Sequence, residues 1–303
     1  MKNQSGIFDL NKMAEERKTD LIKAIKNKAK SIEGEMSFFD HLSELRVHLI
    51  RSSIVVILMT IVCFVYYDFL FDNIIMGPHK PSFWTYRMMC KVGEYFHKSG
   101  FCITNIPGKI INTEMAGQFT LQINSALMTG VALGVPYLLW EIWRFVKPAL
   151  KDSERKSATG FVFYASLLFL IGLMFGYFIV APLSVNFLSN YSISPEIENT
   201  ITIDSYFSSV ATLTLCTGAV FELPIVIFIL SKLGIMTPAF MREKRRYAVI
   251  IILVIAAIVT PTPDIPTMLT VSFPLFLLYE VSIFVSLKVQ KNKLKAEKAF
   301  FNN

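Results

Sequence analysis

Charge is scarce in this chain of 303 residues: Asp, Glu, Lys and Arg make up 17% against 53% hydrophobic residues. A soluble domain has roughly a quarter of its residues charged, so an ordinary solvated surface is excluded. Basic residues are missing from whole stretches. Ala181–Ser205 and Thr260–Met268 contain no Lys or Arg. Catalytic signatures are missing too. There is no HExxH, no phosphate-binding Gly-rich loop and no GxSxG. The histidines at 41, 48, 79 and 97 do not cluster with cysteines or carboxylates at ligand spacing. His41 and His48, two helical turns apart, are too distant to share a metal without a partner. There is no internal repeat and no low-complexity segment. Nothing in this pattern points to a cofactor, a metal or an enzyme.

Long apolar runs are present in place of charge. They cover Leu49–Tyr67, Phe119–Trp143, Gly160–Val180, Tyr206–Leu230, Tyr247–Val259 and Leu269–Leu287. About 20 mostly apolar residues suffice for a helix to cross the hydrocarbon core. None of the runs carries the polar stripe of a surface helix. The expected fold is an all-α integral membrane protein with six spans. The fifth is short because Arg246 and Pro261 bound it, and the sixth is interrupted by Pro274 and Glu280.

The basic residues fall before or just after Leu49, in Arg144–Lys156, in Lys232–Arg246 and after Leu287. The positive-inside rule then puts both termini in the cytoplasm. The long Phe69–Gln118 loop carries Lys80, Arg87, Lys91, Lys98 and Lys109, and is long enough to tolerate them. The net charge of +7 expresses this asymmetry and an affinity for anionic headgroups, not nucleic-acid binding. No cleavable signal precedes the first run. Residues 1–35 are polar and charged, with Ile22, Ile25, Ala29 and Ile32 at helical spacing. They read as a surface helix or a cytosolic tail. Residues 289–303 form a basic tail.

Cys63 and Cys216 fall in apolar runs and read as small core residues. Cys90 and Cys102 share the long loop, where an oxidising compartment would join them; two free thiols are the alternative.

Two segments flank the membrane on the basic side. In "SFFDHLSELRVHLIR", Phe38, Leu42, Leu45 and Leu49 recur at helical spacing after a Ser37–Asp40 capping pair. This predicts a short interfacial helix with Glu44 and Arg46 at its polar edge. In "WEIWRFVKPALKDSERK", Pro148 ends a helix, Asp152 or Ser153 can cap the next, and Glu154 lies in the hairpin. A third segment, "TGAVFELPIVIF", places Glu222 in an apolar run with no basic residue within nine positions. Span four runs inward from Tyr206, so Glu222 lies roughly 24 Å down it. Pro224 should kink the helix there.

The chain resembles the TatC family, the multispanning core of the twin-arginine protein translocase. "HLSELR" at 41–46, "FVKPAL" at 145–150 with "ER" at 154–155, "FELP" at 221–224 and "TPTPD" at 260–264 occur in the family's order. The resemblance covers residues 36–288. It implies a concave, glove-like bundle that binds twin-arginine signal peptides of folded cargo. It also implies assembly with single-span TatA/TatB-type partners, self-association, and transport driven by the proton gradient. Glu44 and Glu154 match the signal-binding carboxylates, with Arg46, Leu45 and Phe145 shaping the floor. Residues 1–35, the long cysteine-bearing loop, His48 and Met268 depart from the family pattern. A carboxylate pair suits the two planar guanidinium forks of such a motif.

Glu222 and Pro224 are then expected to meet a partner's transmembrane helix, or else Glu222 is satisfied within the chain, for example by Gln122. Asp264, in a turn stiffened by Pro261, Pro263 and Pro266, either caps the last span or touches a partner. The other reading is a proton-coupled small-molecule transporter using Glu141, Glu222 and Glu280 as relay groups.

Overall fold

A computed structural model describes residues 38–95, 97, 102–103, 106–147, 160–194, 196, 199–232, 234–260 and 265–301. The chain divides into two compact units at Arg51–Ser52.

In the first unit the described part opens helix α1 (Phe38–Val65). The separate interfacial helix expected over Phe38–Leu49 is instead the beginning of α1. No Gly or Pro stands between Phe38 and Val65 to interrupt the backbone ladder. Ser37, half of the expected capping pair, lies outside the described residues.

The second unit is helical except for one strand pair. A π-helical turn at Leu70–Ile75 and a short turn at Gly77–His79 lead into α2 (Trp84–Tyr95). Then come β1 (Lys109–Ile111) and α3 (Gly117–Val146). Helix α4 (Phe161–Phe175) passes through a π-helical turn at Gly176–Val180 into α5 (Ala181–Asn190). Strand β2 (Thr200–Thr202) precedes α6 (Ile203–Phe221) and α7 (Leu223–Lys232). Helices α8 (Pro238–Glu243), α9 (Arg245–Val259) and α10 (Ile265–Phe301) complete the chain. Among the described residues five helical segments are long and apolar enough to cross a membrane: Ser43–Val65, Gly117–Val146, Val162–Asn190, Ile203–Lys232 and Thr267–Lys295.

Helix α9 is the short one anticipated between Arg246 and Pro261. It rises only about 22 Å at 1.5 Å per residue, below the roughly 30 Å of a bilayer core. The third apolar segment runs further than Val180, because Pro182 sits in the first turn of α5 where a missing N–H costs little. Phe178, four residues before Pro182, has a carbonyl that accepts the Thr85 hydroxyl. The fourth segment divides at Glu222, as Pro224 predicts: α6 ends at Phe221 and α7 starts at Leu223.

The main core gathers Leu121, Ala126, Val180, Leu213, Phe221, Ala256 and Leu275 from four helices and the π-turn. Its tightest seams are made by glycine. A Cβ at Gly130 would lie 2.7 Å from the Thr60 backbone nitrogen, and one at Gly172 would lie 2.5 Å from Phe221 Cβ. Large apolar side chains point the other way along α1, α3, α9 and α10, among them Ile54, Leu133, Ile258 and Phe273. Apolar outside as well as inside suits a lipid solvent. The strands β1 and β2 pair in parallel, Lys109 against Thr200 and Ile111 against Thr202.

Candidate functional site

Glu44 lies in the first described turns of α1, within the first unit. The residue is partly buried, and its Oε2 is shielded from solvent with no hydrogen-bond partner among the described residues. Leu45 and Arg46 beside it are exposed, while His48, one turn on, is buried. Glu154 lies outside the described residues, as does Asp264. Phe145 is half-buried in the last turn of α3.

The end of α3 carries a carboxylate of another kind. Glu141 is 1% exposed. Its Oε1 accepts a hydrogen bond from the Tyr137 hydroxyl at 2.8 Å and meets Arg144 Nη1 at 3.4 Å. The Arg144 guanidinium in turn lies over the Trp140 ring, 5.1 Å from its centroid. A buried carboxylate persists where opposite charge and a donor compensate its desolvation. Glu280 is paired as well, with Arg245 at 2.7 Å, a bond that ties α9 to α10. Two of the three groups named for a proton relay therefore serve as ion-pair partners.

Glu222 differs from both. It closes α6 with helical backbone angles, φ −74° and ψ −6°. Its backbone still bonds locally, the N–H to Ala219 at 3.1 Å and the carbonyl to the Ile225 N–H at 2.9 Å. Its side chain approaches the backbone of Phe169 without the geometry of a hydrogen bond. Both carboxylate oxygens are buried, and neither has a hydrogen-bond partner among the described residues. Gln122 does not supply one. It lines a hollow of about 490 Å³ with Tyr67, Phe71, Asn112 and Ile203. The region is crowded: a Cβ at Gly218 would stand 2.9 Å from the Phe169 ring.

On the loop side, Cys90 and Cys102 are joined by a disulfide, with Cα atoms 4.1 Å apart. The loop is fastened by tyrosine hydroxyls for which no local signal exists. The Tyr86 hydroxyl lies 2.8 and 2.9 Å from the carbonyl oxygens of Pro78 and Pro182 and shares its one proton between them. Tyr177 donates to Ile74 at 2.8 Å and Tyr206 to Ile75 at 2.7 Å. His79 stacks edge-on against Tyr206 with ring centroids 5.8 Å apart. Burial holds the His79 imidazole below its usual range, and its Nδ1 has no partner among the described residues.

A family model described as Sec-independent protein translocase protein (TatC) matches residues 40–274. The chain belongs to the TatC family. A Sec-independent protein translocase protein TatC of a Blattabacterium from Periplaneta americana is 36% identical over 87% of this chain and 100% of its own length. The TatC protein of Carboxydothermus hydrogenoformans is 31% identical, over 87% of this chain and 98% of its own length. A crystal structure of a twin-arginine translocase receptor TatC superposes with a TM-score of 0.61 at 30% identity, covering 82% of this chain and 99% of that one. TatC membership agrees with the helical fold and apolar exterior described above, and makes the chain a component of a Sec-independent protein translocase.

Proposed function

We propose that this TatC-family chain is the signal-peptide receptor and core subunit of a twin-arginine translocase in the bacterial inner membrane. It has six spans and cytoplasmic termini. The twin arginines of the signal peptides of folded cargo bind Glu44 and Glu154, with Leu45, Arg46 and Phe145 around them. TatA/TatB-type single-span proteins assemble with it, further copies of the chain associate, and the proton gradient drives transport.

The observation that carries this reading is Glu44. A carboxylate oxygen withdrawn from water and left unpaired is costly, and a planar guanidinium offering two parallel donors removes that cost. Glu141 and Glu280 have their cations already. Glu222 and Pro224 suit the second contact, the partner's helix. A polar group on that helix can reach the carboxyl where the span is broken and no partner stands among the described residues. Asp264 caps the start of α10 in this reading.

The test is photo-crosslinking from positions 44 and 154 to a twin-arginine peptide, with binding to Glu44→Gln and Glu154→Gln measured beside it. Each substitution should weaken binding by about 1–3 kcal/mol, the range of a lost charged hydrogen bond. The protein should still insert and fold. Unchanged affinity in the double variant would sink the proposal.

A further inference from the structure

Helix α2 is unlike the spans around it. Its inner face holds Thr85, Tyr86 and Gly93 buried, locked by the bonds to Phe178, Pro78 and Pro182. The disulfide from Cys90 pins its second half. Its outer face carries Trp84, Met88, Val92 and Tyr95 at spacings of four, four and three, which line up on one side of a helix. All four are exposed, Tyr95 by 81% and Trp84 by 50%. Beside this stripe run Arg87 and Lys91, also exposed, each one turn from an apolar neighbour.

The height of α2 is set by the helix it leans on. The basic segment that ends at Lys156 precedes α4 and marks one membrane face. Val162 to Val180 then spans about 27 Å at 1.5 Å per residue, close to the roughly 30 Å of a hydrocarbon core. Beyond it Ser184, Asn186, Ser189 and Asn190 interrupt the apolar run for the first time since Gly176. The hydrocarbon boundary therefore falls near Val180. Helix α2 is anchored to Phe178 and Pro182, one on each side of that boundary.

We propose that α2 lies in the membrane interface as a fixed anchor, with Trp84, Met88, Val92 and Tyr95 seated among lipid acyl chains and Arg87 and Lys91 against anionic headgroups. Trp and Tyr concentrate at that level because their rings are apolar with a polar edge. A basic edge beside an apolar stripe is the pattern of a helix lying in the interface plane. Long Arg and Lys side chains reach the headgroups while their methylenes stay with the lipid. The buried inner face and the disulfide hold the stripe in position before any lipid arrives, so little ordering entropy remains to be lost.

The experiment uses the full-length, disulfide-intact protein in vesicles of phosphatidylcholine with phosphatidylglycerol. The vesicles include a phospholipid with a photoactivatable group near the top of its acyl chain. After illumination, peptide mass spectrometry locates the adducts. Lipid adducts on Trp84, Met88, Val92 or Tyr95 are expected in the wild-type chain. In an R87E/K91E variant that retains the Cys90–Cys102 bond, adduct yield on α2 should fall severalfold in vesicles with the anionic lipid and stay level in phosphatidylcholine alone. Adducts confined to the long helices, with none between residues 84 and 95, overturn the proposal. So do zero-length crosslinks showing that this face meets a second copy of the chain. An unchanged yield for R87E/K91E in anionic vesicles overturns the headgroup contact.

Discussion

At Glu222 two buried oxygens and no hydrogen bond among the described residues stand beside a broken helix. An unsatisfied group of this kind destabilises the isolated subunit, by about 1–3 kcal/mol in soluble proteins. Glu222→Gln and Glu222→Leu should leave the thermal midpoint of the detergent-solubilised chain level or raised, while crosslinking to a partner's single-span helix weakens. A large fall in midpoint with partner crosslinking intact would mean that the carboxyl holds the fold together. His79 gives a pH-dependent counterpart outside the spans. Its imidazole is held low by burial, so the folded loop keeps it neutral while the unfolded chain protonates near pH ~6.5. Unfolding takes up a proton below that pH, so the stabilising contribution is complete above it and is lost as pH falls. Melting followed from pH 7.5 to 5 should show a falling midpoint in wild type and a flatter profile in His79→Gln. Equal slopes for the two would remove His79 from the account.

At the scale of elements, glycine decides how closely the helices approach. At Gly130 an added methyl would meet the Thr60 nitrogen at 2.7 Å and Cα at 2.8 Å, and a backbone cannot swing aside. Gly130→Ala should therefore destabilise by about 1–3 kcal/mol, the usual cost of overpacking. Gly160→Ala meets only the edge of the Tyr164 ring, at 3.0 Å, and should cost less. Unfolding in mixed micelles compares the two; similar midpoints would show that α1 and α3 slide apart freely. The same elements show how far local sequence reaches. Pro224 announces the break after Phe221, and Arg246 with Pro261 announces a short α9. The apolar run alone stops at Val180, but the helix does not stop at Pro182. That proline's position in the first turn of α5 is compatible with a continuing helix, and Thr85 takes up the carbonyl it frees.

Across the whole molecule the distribution of Lys and Arg is the strongest signal. The Ala181–Ser205 stretch has none, whereas the 144–156 and 232–246 segments and the C-terminal tail are rich in them. An enzyme reporter active only in the cytoplasm should work when fused after Asn303 and fail when inserted at Ser192–Ser194. Activity at both places would contradict cytoplasmic termini and an even number of crossings.

Composition and run length by themselves determined that the chain is a bundle of apolar helices, because a lipid solvent permits few other solutions for the backbone. The proline positions determined where one helix breaks and where one stays short. The order of the short motifs carries the resemblance to the TatC family. Glu141 finds Tyr137 and Arg144 one turn away on its own helix, a local arrangement that the sequence spacing already allows. For Glu222 and Glu280 the outcome was decided only by tertiary structure. Folding brings Arg245 to Glu280 and leaves Glu222 without a hydrogen-bond partner among the described residues. The parallel strands β1 and β2 and the tyrosines that fasten the loop were also decided there. Their partners are about 90 to 130 residues away, and no local periodicity records a contact that forms only when distant segments are brought together by packing.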